Sequence, residues 1–341
     1  MATIRDIARM TGVSASTISR VLNEHPEGLS IPEDIRQLIF QTAEELNYVK
    51  ATGKRRRVGK NKIGRIAVLG WGTQERDLEI PYYALIRRGI NAECRALGLD
   101  SSSVVFEWSD LIRTYSSLLQ YDGVIVIGQI EGPAEYFKDK GQRVVFIDHC
   151  PDALRFNSVI PDLAHGTTQA LSHLLSIGYT NIGYLGGENE GPLSLPRYKS
   201  FKKLLGSKGL YNEDFVHLAG DWTAKTGYAM AQNCVRQGRV AEAYFVANDP
   251  MAVGALNAFL DAGLRIPEDV AIVGFDDIEM ASYVRPSLTT VRLPAEILGR
   301  YGVDLLVNGL SDNSIPVSVS VPTELVIRDS CGMKLKNMDI S

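Results

Sequence analysis

Short runs of apolar residues recur after Gly64, and helix-length segments lie between them. The runs are Ile66-Ala67-Val68-Leu69, Val124-Ile125-Val126-Ile127, Val144-Val145-Phe146-Ile147, Ile182-Gly183-Tyr184-Leu185, Tyr244-Phe245-Val246 and Val270-Ala271-Ile272-Val273. Runs without polar alternation fit parallel strands covered on both faces. Helical segments are expected at Tyr83–Leu97 and Gly166–Ile177. Alternating β and α over about 260 residues predicts an α/β body of doubly wound parallel sheets, long enough for two.

In such folds ligands sit at the carboxyl ends of the strands. The residues directly after the runs are Asp148, Asn248-Asp249 and Asp276-Asp277, and Arg197 and Trp222 lie in irregular stretches nearby. Carboxylates accept from sugar hydroxyls, an arginine donates, and an indole stacks on a pyranose face, so the set suits a polyhydroxylated neutral ligand. Each strand-end aspartate could instead cap the helix that follows, and for Asp249 and Asp277 that bland role is equally expected.

The first fifty residues differ in kind. Ile4, Ile7 and Ala8 share one face of a helix that Thr3 can cap and Gly12 ends. Ser14 can cap a second helix, Ala15 to Leu22, with Ile18, Val21 and Leu22 inward. A third begins near Pro32, with Ile35, Leu38, Ile39, Thr42, Ala43 and Leu46 at helical spacing. Three short helices with a glycine turn between the first two fit a helix-turn-helix module. The outward face of the second helix decides between an inert bundle and a nucleic-acid reader. Ala15, Ser16, Thr17, Ser19, Arg20 and Asn23 are small, hydroxylated, amidic or cationic, which lets the helix approach a polyanion.

Charge supports the same division. The whole chain carries −4, which by itself argues against nucleic acid. Residues 1–62 hold 11 Lys+Arg and 7 Asp+Glu, a balance of +4, leaving −8 for the rest. From Lys50 to Arg65 eight bases (Arg55, Arg56 and Arg57 among them) are interrupted by glycines and by no acid. Such a stretch is a flexible tether drawn to a polyanion.

The four cysteines are far apart and the five histidines form no ligand motif, so reduced thiols and no metal are expected. No cofactor motif stands out. No apolar stretch approaches the ~18 residues of a membrane span, and no leader pattern opens the chain. The expectation is a cytoplasmic protein without a membrane partner.

Thr3-Ile4-Arg5-Asp6-Ile7-Ala8, Gly12-Val13-Ser14-x-x-Thr17-Ile18-Ser19-Arg20-Val21-Leu22-Asn23 and Ala43-Glu44-Glu45-Leu46-Asn47-Tyr48 together resemble the head of the lactose-repressor/galactose-repressor family. The body is similar to the same family at Val246-Ala247-Asn248-Asp249, at Ile266-Pro267 through Gly274-Phe275-Asp276-Asp277, and at Pro286-x-Leu288-Thr289-Thr290-Val291. The resemblance implies a head at residues 1–50, a basic linker or hinge at 51–64, a two-lobed periplasmic-binding-protein-like effector and dimerisation body at 65–330, and a tail at 331–341. It further implies that Ala15, Ser16 and Arg20 read bases while Ser14, Thr17, Ser19 and Asn23 bind phosphates. Asp148, Arg197, Trp222, Asn248 and Asp276 carry over as effector contacts, and Tyr82 and Tyr83 as an aromatic wall or as core.

The chain departs from the family in two places. Val49-Lys50 stands where a hinge helix usually begins with Pro-Asn, and Arg57 lies near the expected minor-groove leucine. Arg55, Arg56 and Arg57 are therefore expected to carry the linker's DNA contacts. Leu293 replaces a polar ligand contact. Tyr184-Leu185-Gly186-Gly187-Glu188 and the Ile80-Pro81-Tyr82-Tyr83 segment look closest to the evolved-β-galactosidase-repressor branch, which points to galactose or a β-galactoside.

These features predict a non-enzymatic regulator, a repressor of a sugar-utilisation operon. It would bind a palindromic double-stranded operator as a homodimer, the tail lacking heptads for a larger assembly. A different sugar or a purine is the alternative effector. The rival class is a glycoside-active enzyme using Asp148 and Asp276 as acid and base. Against it, the sequence shows no acid in a plainly apolar setting that would raise its pKa.

Overall fold

A computed structural model describes residues 4–22, 31–46, 64–70, 80–99, 105–107, 121–129, 135, 137, 142–187, 194–219, 221–308 and 315–332. The chain divides into two units, Met1–Lys60 and Asn61–Ser341.

The small unit holds α1 (Ile4–Thr11), α2 (Ala15–Leu22) and α3 (Glu33–Glu45). Ile7, Ile18, Val21 and Ile39 form its buried centre, the residues that helical spacing had placed inward. Leu38, expected inside, is exposed, whereas Thr42 is buried and donates its hydroxyl to the Leu38 carbonyl at 2.8 Å. That bond satisfies the hydroxyl without a tertiary partner. Gly12 takes the left-handed backbone (φ 69°) that turns α1 into α2.

The large unit contains two parallel sheets. The first runs β11-β5-β4-β3-β1-β2, from β1 (Ile66–Gly70), β2 (Val105–Glu107), β3 (Gly123–Ile127), β4 (Arg143–Ile147), β5 (Asn157–Pro161) and β11 (Ser318–Val321). The second runs β7-β6-β8-β9, from β6 (Ile182–Gly187), β7 (Val216–Ala219), β8 (Ala243–Val246) and β9 (Ala271–Val273). A small antiparallel ribbon pairs β10 (Thr290–Arg292) with β12 (Glu324–Val326). Every apolar run in the sequence is a strand, and β1, β3, β6 and β8 are buried along their length because helices cover both faces.

Among the described residues the large unit has helices α4 (Pro81–Ala96), α5 (Leu163–Ser176), α6 (Ser194–Ser207), α7 (Ala224–Arg236), α8 (Asp249–Asp261), the single turn α9 (Met280–Tyr283) and α10 (Ala295–Asn308). α10, late in the chain, returns to pack on α4 and the first sheet, so that lobe is built from two separated stretches. In each lobe a pair of glycines makes a close helix crossing possible. A Cβ on Gly89 of α4 would strike the backbone of Glu296, and one on Gly299 of α10 would strike that of Ile86. In the other lobe Gly227 of α7 meets the backbone of Met251, and Gly254 of α8 meets that of Ala224.

Both sheets reverse direction of strand order beside their first strand, at β1/β3 and at β6/β8. Such switch points open a crevice at the carboxyl ends of the strands.

Candidate ligand-binding site and nucleic-acid interface

The chain leaves β4 and β9 through aspartates in positive-φ backbone, Asp148 at φ 76° and Asp276 at φ 119°. Aspartate tolerates the left-handed region better than most residues, yet such geometry persists only where its surroundings hold it. Both side chains are buried.

Around Asp148 the first lobe supplies aromatic walls. The Tyr82 hydroxyl donates to Asp148 Oδ1 at 2.8 Å, and Tyr83 packs edge-on against Tyr82 with ring centroids 5.3 Å apart. Both tyrosines are buried in the core as well as beside Asp148, on the first turn of α4, which Pro81 opens. Asp148 Oδ2 is buried with no hydrogen-bond partner among the described residues. Burial pushes this carboxyl up to about 6, against the opposing pull of the Tyr82 hydrogen bond, of Arg197 and of the nearby Tyr83 hydroxyl.

The second lobe supplies Arg197 from α6, buried and 3.7 Å from Asp276 Oδ1. Its guanidinium lies 4.5 Å over the Phe275 ring and 5.6 Å over that of Trp222. Burial raises Asp276 well above the ordinary carboxylate range despite Arg197, and both Asp249 and Asp148 push in the same direction. Asp148, Arg197 and Asp276 therefore act on one another from opposite lobes.

Asn248 stands behind this group. Its Oδ1 caps α8 by accepting from Met251 N at 3.0 Å, and its Nδ2 donates to the Trp222 carbonyl at 2.9 Å. One amide thereby starts a helix and fixes the Trp222 loop. Gly187 lets the indole approach, since a Cβ there would lie 2.6 Å from Trp222 Cε2. All seven residues expected at the ligand site, Tyr82, Tyr83, Asp148, Arg197, Trp222, Asn248 and Asp276, thus converge. Phe275 joins them under Arg197; its place at the end of an apolar run gave no separate signal.

Two expectations need correction. Asp249 does not cap α8, because Asn248 does. Asp249 is instead fully buried, accepting from Thr290 Oγ1 at 2.6 Å and from Ile278 N at 3.0 Å. Asp277 likewise caps nothing and pairs with Arg292 at 2.7 Å and Arg328 at 2.5 Å. Nor is the chain free of acids in apolar, pKa-raising settings: Asp148, Asp276 and Asp249 all stand in one, with Asp249 pushed up to about 7. Linear sequence hides this because the desolvating residues come from distant strands.

In the small unit, Ser14 caps α2 by accepting from Thr17 N at 3.1 Å, and the two hydroxyl oxygens lie 2.7 Å apart. Ser14 and Ala15 are exposed, and Thr17 and Ser19 half-buried, on the helix that also carries Ser16 and Arg20. Asn23 and the linker arginines Arg55, Arg56 and Arg57 lie outside the described residues. Among those described, no cluster of His, Cys, Asp or Glu could hold a metal, and the four cysteines are free thiols. No described helix is long and apolar enough to cross a membrane.

Residues 3–50 match the family model for bacterial regulatory proteins of the lacI family, and residues 171–331 match that of a periplasmic binding protein-like domain. The chain is 35% identical to the HTH-type transcriptional repressor MelR of Bacillus subtilis, over 99% of this chain and 100% of that one. It is 34% identical to the HTH-type transcriptional regulator GalR of Streptococcus thermophilus, over 97% and 99%. Among solved structures, a lac repressor dimer bound to operator and the anti-inducer ONPF superposes with a TM-score of 0.71 at 25% identity, covering 97% of this chain and 99% of that one.

Proposed function

The chain belongs to the lacI family of bacterial regulatory proteins, and from that premise we propose that it represses a sugar-utilisation operon, binding a palindromic operator as a dimer and switched by galactose or a β-galactoside. The observation that carries the sugar assignment is the facing pair of lobes: Asp148, whose Oδ2 has no partner among the described residues, on one side, and Arg197, Asp276 and Trp222 on the other. Asp148 accepts from sugar hydroxyls, Arg197 donates, Asp276 holds Arg197 and accepts, and Trp222 offers its indole to the pyranose. Tyr82 orients Asp148, Tyr83 backs it, and Asn248 holds the Trp222 loop. Closure of the lobes on the sugar alters the spacing or order of the two DNA heads.

In each head, Ala15 and Ser16 meet base edges and Arg20 adds a third base contact, while Ser14, Thr17, Ser19 and Asn23 bind phosphates. Ala15 offers only apolar contact, as to a thymine methyl, and so specifies weakly. Arg55, Arg56 and Arg57 extend the footprint along the linker. These roles assign 1–50 to the head, 51–64 to the hinge, 65–330 to the sensor and 331–341 to a tail.

Operator binding titrated with galactose, lactose, other mono- and disaccharides and purines tests the assignment. A change in operator affinity with a galactoside alone supports it; a response only to a purine or another sugar overturns the effector. The buried, proton-favouring carboxyls Asp148 and Asp276 also give a second reading, glycoside hydrolysis, some substance. Release of reducing sugar from a galactoside by the purified protein would establish it.

A further inference from the structure

Tyr184 lies on β6 and is fully buried, packed against Tyr198, Phe201 and Phe245 at centroid distances of 5.5, 5.2 and 5.9 Å. Its phenol does not stand away from the sheet but runs along it toward the carboxyl end. A Cβ on Gly186 would lie 2.8 Å from the Tyr184 hydroxyl oxygen, so that glycine is the slot in which the hydroxyl lies. The neighbouring Gly187, facing the other way, takes the Trp222 indole. The Gly186-Gly187 pair therefore seats two side chains at the end of one strand.

The hydroxyl has no hydrogen-bond partner among the described residues, although its atom is buried. Buried polar groups without a partner are rare in native proteins, because the fold pays desolvation and recovers nothing. Phenylalanine would fill the same aromatic slot without that cost. Tyr198, whose ring is tilted 53° against that of Tyr184, follows Arg197 directly on α6, and burial raises the Tyr184 phenol above its ordinary range while Arg197 pulls the other way. Phe245, which packs on Tyr184, meets Phe275 edge-on at 6.0 Å, and the Arg197 guanidinium lies 4.5 Å over that Phe275 ring, so the Tyr184 cluster adjoins the guanidinium that the sugar reading places against ligand.

We propose that Tyr184 is a further specificity-determining residue, its hydroxyl bonding one hydroxyl of the sugar from the floor of the site, seated there by Gly186. This inference rests on the sugar assignment above. It explains a polar atom that neither packing nor the Asp148, Arg197 and Asp276 set employs.

The test is calorimetric titration of wild type and Tyr184→Phe with D-galactose, methyl β-D-galactoside and the monodeoxy galactoses. Loss of one neutral hydrogen bond predicts about tenfold weaker binding of galactose by the variant. Its melting temperature should not fall, and its operator affinity without sugar should be unchanged, which separates a lost contact from a damaged fold. One monodeoxy galactose should bind both proteins equally, identifying the hydroxyl that Tyr184 meets. Galactose affinity within threefold of wild type would overturn the contact while leaving the sugar assignment intact. Wild type that binds no galactoside would overturn both.

Discussion

Tyr82 and Asp148 share a buried hydrogen bond of 2.8 Å that ties the start of α4 to the end of β4, while the other carboxylate oxygen, Oδ2, is buried without a partner among the described residues. The bond lowers the cost of an ionised Asp148 but does not cancel it, because burial still holds the carboxyl near 6.

A pH dependence follows. Asp148 takes its proton near pH 6 in the fold and near 3.9 in an unfolded chain, so the folded state binds more protons between those values. Its contribution to stability is thus most favourable below about pH 4 and is lost as pH rises through 6. Asp148→Asn should raise stability at pH 7.5 by at most on the order of 3 kcal/mol, with the difference vanishing by pH 4. Thermal melts of both proteins from pH 4 to 8 measure it. Sugar binding by the variant should be lost throughout.

Asp249 gives a contrasting outcome. It holds Thr290 at the start of the β10–β12 ribbon and the Ile278 amide after β9. Asp249→Ala leaves both donors buried without an acceptor and should cost about 2–4 kcal/mol in urea denaturation. Asp249→Asn, which keeps one acceptor oxygen, should lose less.

The glycine crossings predict a steric penalty. Gly227→Ala or Gly254→Ala must push α7 and α8 apart, since each new Cβ meets backbone rather than a movable side chain. Each should destabilise the protein by about 1–3 kcal/mol, or more where the helices cannot separate. Alanine at Gly206, whose Cβ would meet nothing, is the control and should be nearly neutral or stabilising.

The linker predicts a salt effect. Replacing Arg55, Arg56 and Arg57 with glutamine should reduce the slope of log K against log salt for operator binding by about 2–3 per head. An unchanged slope would show that those arginines do not touch phosphate. Arg20→Ala should instead narrow the gap between operator and random DNA.

Much of this was legible in the residues. A wholly apolar run is a local property, and β1, β3, β4, β6, β8 and β9 all carry one. Strands with mixed faces escaped: β11 alternates exposed and covered residues, and β2 and β12 span only three residues each. Their strand state is set by the neighbour they pair with, as β11 pairs with β5 from far along the chain.

What the sequence determined by itself was the division into a basic reader and an acidic α/β body, and the strand ends that bear Asp148 and Asp276. These depend on periodicity and on charge counted along the chain. The tertiary structure alone decided that Asn248 rather than Asp249 is the cap, that Asp249 and Asp277 serve the framework, and that Tyr184 packs among Tyr198, Phe201 and Phe245. Those outcomes depend on which donors, acceptors and apolar surfaces distant segments bring together. Desolvation and hydrogen bonding act across space, and a residue's rank in the chain does not carry them.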